Sequence, residues 1–270
     1  MHSFQYHRPA STQDALGLAQ QKSEGRYLAG GQSLVQAMKL RLTSPSDLID
    51  LGTIKDLTGI KVSGSAVEIG AMTRHAEVAG SADVKKAIPS LAAMAALIGD
   101  RQVRHMGTLG GSIANSDPAA DYPAAVLALN ATVTTNKRKI AADSYFKGLY
   151  ETALEPGELI TSISFQVPKR GAYMKFRNPA SRFALVGVYV ADFGSVSGKN
   201  EVRVGVTGAG ASAFRQTEME KALSARFAPE AVASIKVKPD GLNNDLHASP
   251  EYRAHLITVM AKRAVEAALK

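Results

Sequence analysis

The spacing of hydrophobic residues changes repeatedly along the chain, and these changes predict an alternation of helices and strands. Apolar residues three or four positions apart predict a helix after Ser11 and a long helix over YRAHLITVMAKRAVEAALK at the end of the chain. Short runs rich in β-branched residues predict strands, among them LIDLG (48–52), the hairpin KVSGSAVEIGAMT (61–73), ATVTTN (131–136) and EVRVGVTGAG (201–210). The order of these elements, which contains no tandem repeat, predicts the α+β class.

Two stretches between predicted elements have almost no side-chain bulk, and we call them the first and the second bare stretch. AGGQS (29–33) precedes a helix for which Ser33 and Gln36 predict a capping box. GTLGGSIANSDPAAD (107–121) precedes the helix PAAVLALNA, for which Asp117 and Pro118 predict the N-cap and first turn. Backbone N–H groups converge on a phosphate only where side chains are missing, often at a helix N-terminus. One such turn is more often structural, but two of them favour a bulky anionic cofactor.

The standard nucleotide-binding motifs do not say which cofactor this is. The chain contains no G-x-x-x-x-G-K-[ST] sequence, which excludes a P-loop. GAGASA (208–213) fits G-x-G-x-x-A after a predicted strand, but no strand with an acidic residue follows about twenty positions later. A tight turn is therefore a better interpretation of GAGASA than a Rossmann site.

Composition excludes several other classes of site. The chain has no cysteine, which excludes disulfides, thiolate zinc sites and iron–sulfur clusters held by this chain. Its six histidines are scattered without metal-ligand spacing, so we expect no metal site. The net charge of +8 is spread evenly and no basic run is interleaved with aromatic residues, so we expect no nucleic-acid partner. Without a signal peptide or an apolar run of roughly 18 residues, we expect a soluble, cytoplasmic protein with no membrane span.

Six segments carry a resemblance to a known family: AGGQSLVQAMKLRL, LIDLGTIKDLTGI, VEIGAMTRHAEV, QVRHMGTLGGSIANSDPAADYPA, GELITSISF and DLHASPEYRAHLITVMAKRAVEAAL. They occur in order along essentially the whole chain, which resembles the FAD-binding medium subunit of the molybdenum hydroxylases. This group contains carbon monoxide dehydrogenase, xanthine dehydrogenase and bacterial aldehyde and N-heterocycle dehydrogenases. The resemblance implies a two-part FAD-binding domain of the p-cresol methylhydroxylase type over 1–171, divided at about residue 52, and a C-terminal α/β domain of the carbon monoxide dehydrogenase flavoprotein type over 172–270.

The resemblance also implies which residues bind FAD. Its pyrophosphate and ribityl chain would lie against Leu28, Ala29, Gly30, Gly31, Gln32, Ser33 and Leu34, and against Thr108, Gly110, Gly111 and Ser112. Asp121 would hydrogen-bond polar groups of the cofactor, with a helix cap as the alternative role. Lys175 would lie near the flavin ring and favour negative charge as the flavin is reduced. Ile98 and Ile160 would contact adenine or isoalloxazine and Phe183 would lie beside the ring, with core packing as the alternative for each.

The function implied is electron transfer rather than substrate chemistry, so no catalytic residue is expected in this chain. A small subunit with [2Fe–2S] clusters and a large molybdopterin subunit would be its partners, in a dimer of heterotrimers. Gln32 replaces a histidine frequent in AGGQS-type motifs, so nothing suggests covalent flavin attachment, and the lack of cysteine excludes the 4-hydroxybenzoyl-CoA reductase branch. A stand-alone FAD oxidoreductase and a scaffold without cofactor are the alternatives. The sequence names neither the reducing substrate nor the acceptor, which could be NAD⁺, a quinone, oxygen or a carrier protein.

Overall fold

A computed structural model describes residues 1–196 and 198–270, and its mixture of helices and sheets is of the predicted α+β class. The strands are β1 (Gln5–His7), β2 (Arg26–Leu28), β3 (Asp47–Asp50), β4 (Ile60–Ser63), β5 (Ala66–Gly70), β6 (Thr132–Thr135), β7 (Lys139–Ala141), β8 (Phe146–Gly148), β9 (Glu151–Thr152), β10 (Ile160–Gln166), β11 (Arg170–Arg177), β12 (Ala184–Val196), β13 (Lys199–Thr207) and β14 (Phe214–Arg215). The helices are α1 (Thr12–Gln21), α2 (Leu34–Lys39), α3 (His75–Gly80), α4 (Ala82–Ala87), α5 (Pro89–Ala96), α6 (Arg101–Met106), α7 (Leu109–Asn115), α8 (Tyr122–Ala128), α9 (Ala142–Tyr145), α10 (Thr217–Ala225), α11 (Pro229–Ala233) and α12 (Pro250–Ala268).

The first sheet is small and parallel, with the strand order β1-β3-β2. Helix α1 begins where the sequence predicts, because the Ser11 hydroxyl accepts a hydrogen bond from the Asp14 N–H at 3.1 Å. Ala15 of this helix and Ile49 of β3 belong to the same small buried core. The carboxyl end of β2 leads directly into the first bare stretch, so this sheet fixes where that stretch begins.

The second sheet is antiparallel, with the order β4-β5-β10-β6-β7, and helices α3, α4, α5, α7 and α8 bury one continuous core against it. The predicted hairpin is confirmed, since Ser63 pairs with Ala66 at the turn between β4 and β5. The Ala-rich segment KKAIPSLAAMAALIG (85–99) is divided between two helices, because Ile88 ends α4 and Pro89 opens α5. Small side chains let the helices of this core pack closely. The buried alanines of α5 and α8 are Ala92, Ala95, Ala124, Ala125 and Ala128.

The third sheet is antiparallel, with the order β11-β12-β13-β14, and it is covered on both faces. Alternate residues of β12 face opposite ways: Val188 and Val190 pack with α12, whereas Tyr189 and Ala191 pack into the core of the second sheet. Gly205 of β13 lies so close to α8 that any side chain there would collide with the Ala124 carbonyl oxygen. The third sheet is therefore docked tightly on α8, the helix that follows the second bare stretch.

Two local predictions are wrong. Ser33 has helical backbone angles (φ −103°, ψ −54°) and caps no N–H group, so the Ser33–Gln36 capping box does not form. The helix after the second bare stretch begins at Tyr122, not at Pro118. Asp117 instead accepts a hydrogen bond from the Ala119 N–H at 2.8 Å, because a short acidic side chain readily closes a turn on its own backbone.

GAGASA forms a turn between antiparallel strands, as the preferred interpretation predicted. It leaves β13 and enters β14, which pairs antiparallel with β13, so no parallel βαβ unit exists there. Gly208 has φ +83°, and a Cβ on it would lie 2.7 Å from the Leu185 carbonyl oxygen. Over residues 1–196 and 198–270, no helix combines the length and the apolar composition needed to cross a membrane.

Candidate cofactor site

The two bare stretches lie against each other, backbone to backbone. A Cβ atom on Gly30 would collide with the carbonyl oxygen of Met106 and lie 2.7 Å from the Cα of Gly107. A Cβ atom on Gly111 would lie 3.2 Å from the Cβ of Ala29. The fold therefore brings segments more than seventy residues apart in sequence into one surface that lacks side chains.

The first stretch offers unused hydrogen-bond donors. The backbone N–H groups from Ala29 to Ser33 have no hydrogen-bond acceptor in the part of the chain that the structure describes. Gly31 adopts φ +71°, a left-handed conformation that glycine allows at little cost, and this turns the chain between β2 and α2. Gln32 and Ser33 are exposed. Such a run of free N–H groups ahead of a helix is suited to binding an anion.

The second stretch uses most of its N–H groups internally. Gly110 donates to the Ala71 carbonyl at 2.7 Å, Gly111 to the Thr108 hydroxyl at 3.2 Å and Ser112 to the Thr108 carbonyl at 3.1 Å. A Cβ on Gly110 would lie 2.5 Å from the Cβ of Ala71, so this glycine is required for packing. The second stretch therefore supplies a close backbone wall and a helix start rather than a second set of free donors.

His75 lies behind this wall, although no pattern in the sequence marks it. A Cβ on Gly107 would lie 2.6 Å from His75 Nε2, so the imidazole packs directly on the glycine backbone. Burial, with a smaller effect of the Arg104 charge, lowers the pKa of His75 to about 4. The Tyr122 ring lies 5.3 Å away, and neither His75 Nδ1 nor the Tyr122 hydroxyl has a partner among the described residues. A buried histidine carries no sequence signal that separates this position from ordinary core packing.

Asp121 and Lys175, both predicted site residues, form a buried ion pair. The Asp121 carboxylate is 4 % exposed and accepts from Lys175 Nζ at 2.9 Å and from the Tyr173 hydroxyl at 2.5 Å. It caps no N–H group of α8, so the helix-cap alternative is wrong. Complete burial raises the pKa of the Asp121 carboxyl, while Lys175 and the Tyr173 hydrogen bond oppose this shift. Tyr173 was missed because a tyrosine in a strand usually means only packing.

The three apolar residues of the prediction lie in different environments. Ile160 is 4 % exposed inside the core of the second sheet, and packing alone accounts for its burial. Ile98 is partly buried at the edge of that core. Phe183 is 47 % exposed and follows Arg182, which has φ +63° and donates to the Gly99 carbonyl at 3.3 Å. A contact of these three side chains with a cofactor stays a prediction.

The residues present fit a cofactor with a pyrophosphate group. A surface without side chains and a run of free N–H groups supply close approach and hydrogen-bond donors. The structure contains no group of three or more His, Cys, Asp or Glu residues arranged as metal ligands within residues 1–196 and 198–270. The fold and this site together define a chain suited to binding a nucleotide-type cofactor.

Comparison with known proteins identifies the family. Residues 2–169 match the profile of the FAD binding domain in molybdopterin dehydrogenase. The carbon monoxide dehydrogenase medium chain of Afipia carboxidovorans is 37 % identical, over 98 % of this chain and 96 % of the relative. The glyceraldehyde dehydrogenase medium chain of Sulfolobus acidocaldarius is 34 % identical, over 97 % and 96 % respectively. Reconstituted carbon monoxide dehydrogenase from Oligotropha carboxidovorans contains a chain 35 % identical in sequence with a TM-score of 0.90, over 99 % of this chain and 98 % of that chain.

The chain therefore belongs to the FAD-binding medium subunits of the molybdenum hydroxylases. It is the flavoprotein subunit of an oxidoreductase, its cofactor is FAD, and its predicted fold type is confirmed.

Proposed function

We propose that this chain is the electron-transfer subunit of a heterotrimeric molybdenum hydroxylase. It takes electrons from [2Fe–2S] clusters on a small partner and passes them to an external acceptor, while a large molybdopterin subunit oxidises the substrate. The absence of cysteine supports this division, because this chain cannot itself hold a cysteine-bound cluster. The relatives span its whole length and their names describe medium chains of dehydrogenases.

The observation that most directly supports the proposal is the contact between the two bare stretches. We infer that residues 28–34 and 108–112 hold the pyrophosphate and ribityl chain, with the free N–H groups of 29–33 as donors. FAD, when bound, supplies the electron-carrying chemistry. Lys175, fixed by Asp121, favours negative charge on the adjacent ring because an ammonium group stabilises an anion in a site closed to water. Ile98, Ile160 and Phe183 are assigned apolar contacts in the same proposal.

We also propose the larger organisation implied by the family. The boundary between the FAD-binding and C-terminal domains falls at 171/172, with a division of the first domain near residue 52. The complex is a dimer of heterotrimers in the cytoplasm. These assignments rest on the resemblance, and the proposed 171/172 boundary falls within β11.

Stopped-flow reduction of the bound flavin tests the electron-transfer role. The purified full chain should bind FAD yet be reduced by no aldehyde, purine or other small organic reductant at a useful rate. Adding the iron–sulfur and molybdenum chains with the substrate of the complex should bleach the flavin rapidly. Rapid bleaching of the chain alone would replace the subunit proposal with a stand-alone FAD oxidoreductase. Colourless protein that binds no added FAD would indicate a scaffold.

A further inference from the structure

Two side chains of one strand reach across to the same buried carboxylate. Tyr173 and Lys175 are two residues apart on β11, so they extend from the same face of the third sheet. Tyr173 donates to Asp121 Oδ1 at 2.5 Å, and Lys175 donates to Asp121 Oδ2 at 2.9 Å. Asp121 belongs to the segment between the second bare stretch and α8. Each carboxylate oxygen therefore has its own donor from the sheet on the other side of the interface.

The neighbouring strand leaves room for the Tyr173 hydroxyl. Gly187 of β12 is the cross-strand partner of Lys175, and any Cβ on Gly187 would collide with the hydroxyl of Tyr173. The missing side chain at 187 thus creates the space through which the phenol reaches Asp121. Tyr189, the cross-strand partner of Tyr173, provides a contrast, because its buried hydroxyl pairs with Ser90 at 2.5 Å instead.

The ionisation of Asp121 depends on few groups. Lys175 and Tyr173 act on it from β11, and Tyr122 is the titratable neighbour on its own segment. Burial raises the pKa of the Asp121 carboxyl, and the charge of Lys175 and the hydrogen bond from Tyr173 lower it. Lys175 is held in turn, since Nζ also donates to the Leu97 carbonyl at 3.4 Å and the side chain is only 4 % exposed. The position of this ammonium group therefore depends on an ionised Asp121.

We propose that Tyr173 is a positioning residue of the FAD site, which keeps Asp121 ionised and aimed at Lys175. Through this contact, cofactor binding is coupled to the docking of the third sheet on the bare stretches. The proposal rests on the proposed function in one respect, namely that FAD lies beside Asp121 and Lys175. When Asp121 is protonated, it loses its charge attraction for Lys175 and the site loses a fixed cation.

The test compares Tyr173→Phe with Tyr189→Phe in the full chain. Both changes delete one buried hydroxyl that has one side-chain partner, so both should lower the melting temperature of the FAD-free protein by similar amounts. Fluorescence titration with FAD between pH 8 and pH 5 distinguishes the two variants. Tyr173→Phe should raise the Kd for FAD about ten-fold and shift the pH of acid-induced FAD loss upward by about one unit. Tyr189→Phe should change neither quantity by more than about two-fold or a few tenths of a unit.

Each of four further outcomes has a defined consequence. If wild-type protein binds no FAD, the proposed function fails and the comparison is not reached. If wild-type protein binds FAD and the two tyrosine variants behave alike, the role assigned to Tyr173 is wrong. In an Asp121→Asn background, Tyr173→Phe should cause no additional loss of affinity, and fully additive losses would show that it does not act through Asp121. If Tyr173→Phe does not fold, Gly187→Ala, which displaces the hydroxyl, should produce the same upward pH shift.

Discussion

Replacing Gly30 by alanine tests whether contact between the bare stretches creates the FAD site. Gly30 does not have a positive φ, so alanine can adopt its backbone conformation and the effect comes from the added methyl group alone. That methyl would collide with the Met106 carbonyl oxygen and lie 2.7 Å from the Cα of Gly107. Since carbon atoms pack at roughly 3.5–4.0 Å, the two stretches must separate by about 1 Å.

This separation should cost more in cofactor affinity than in folding. Overpacking of this kind typically destabilises a protein by about 1–3 kcal/mol. A shift of about 1 Å also misaligns the free N–H groups of 29–33, and each hydrogen bond to a charged group is worth about 1.5–3 kcal/mol. Losing the alignment of two such bonds corresponds to a Kd for FAD at least about 100-fold higher.

Fluorescence titration with FAD and thermal melting with and without FAD measure these effects. Gly17→Ala is the matched control, because Gly17 lies inside α1 and a Cβ there would meet nothing within 4 Å. The control should gain about 0.5–1 kcal/mol of stability and bind FAD unchanged. Wild-type FAD affinity in Gly30→Ala would show that the close contact is not needed for binding and would refute the reasoning.

Two further predictions concern buried titratable groups. Lys175→Met should destabilise the fold by about 3–5 kcal/mol at pH 8, because it leaves the Asp121 carboxylate buried without its cation. Burial already raises the pKa of Asp121 in the folded state, and loss of the Lys175 charge raises it further above its unfolded value. Denaturant melts should therefore show the stability deficit shrinking as pH falls, and a constant deficit would contradict the buried charge. His75 stays neutral in the folded protein to about pH 4, whereas an unfolded histidine is protonated near pH 6.5, so stability should fall by on the order of 3 kcal/mol across that interval. His75→Gln should flatten this part of the pH–stability curve, exposed His105→Gln should not, and equal curves for the two variants would refute the assignment.

Local signals predicted most elements of the fold. The Ser11 cap, the hairpin at Ser63 and the β-branched runs each depend on residues a few positions apart, and the structure confirms them. The wrong prediction at Asp117 occurs where two local preferences compete. Asp117 and Pro118 resemble a helix start, but the Asp117 side chain closes a turn and the helix begins only at Tyr122.

The segments and most residues of the candidate site were predictable from the sequence, but the contacts between them were not. The bare stretches are visible in the sequence, and the resemblance assigned Asp121 and Lys175 to one cofactor. Nothing local shows that these two side chains pair, because Lys175 reaches Asp121 across 54 positions. Tyr173 and His75 were missed for the same reason, since the contacts that distinguish them from core residues come from distant segments.

The glycines of the bare stretches serve two purposes, cofactor binding and close packing within the chain, and the sequence suggests only the first. A cofactor was expected to explain the absence of side chains in both stretches. In the structure, side chains at Gly30, Gly107 and Gly110 are excluded by other parts of the same chain, namely the backbone of 106–107, the His75 ring and Ala71. Only the first stretch retains a run of free N–H groups for a ligand in the described residues. In the proposed site, this close packing of backbone on backbone would hold those donors in place against the pyrophosphate.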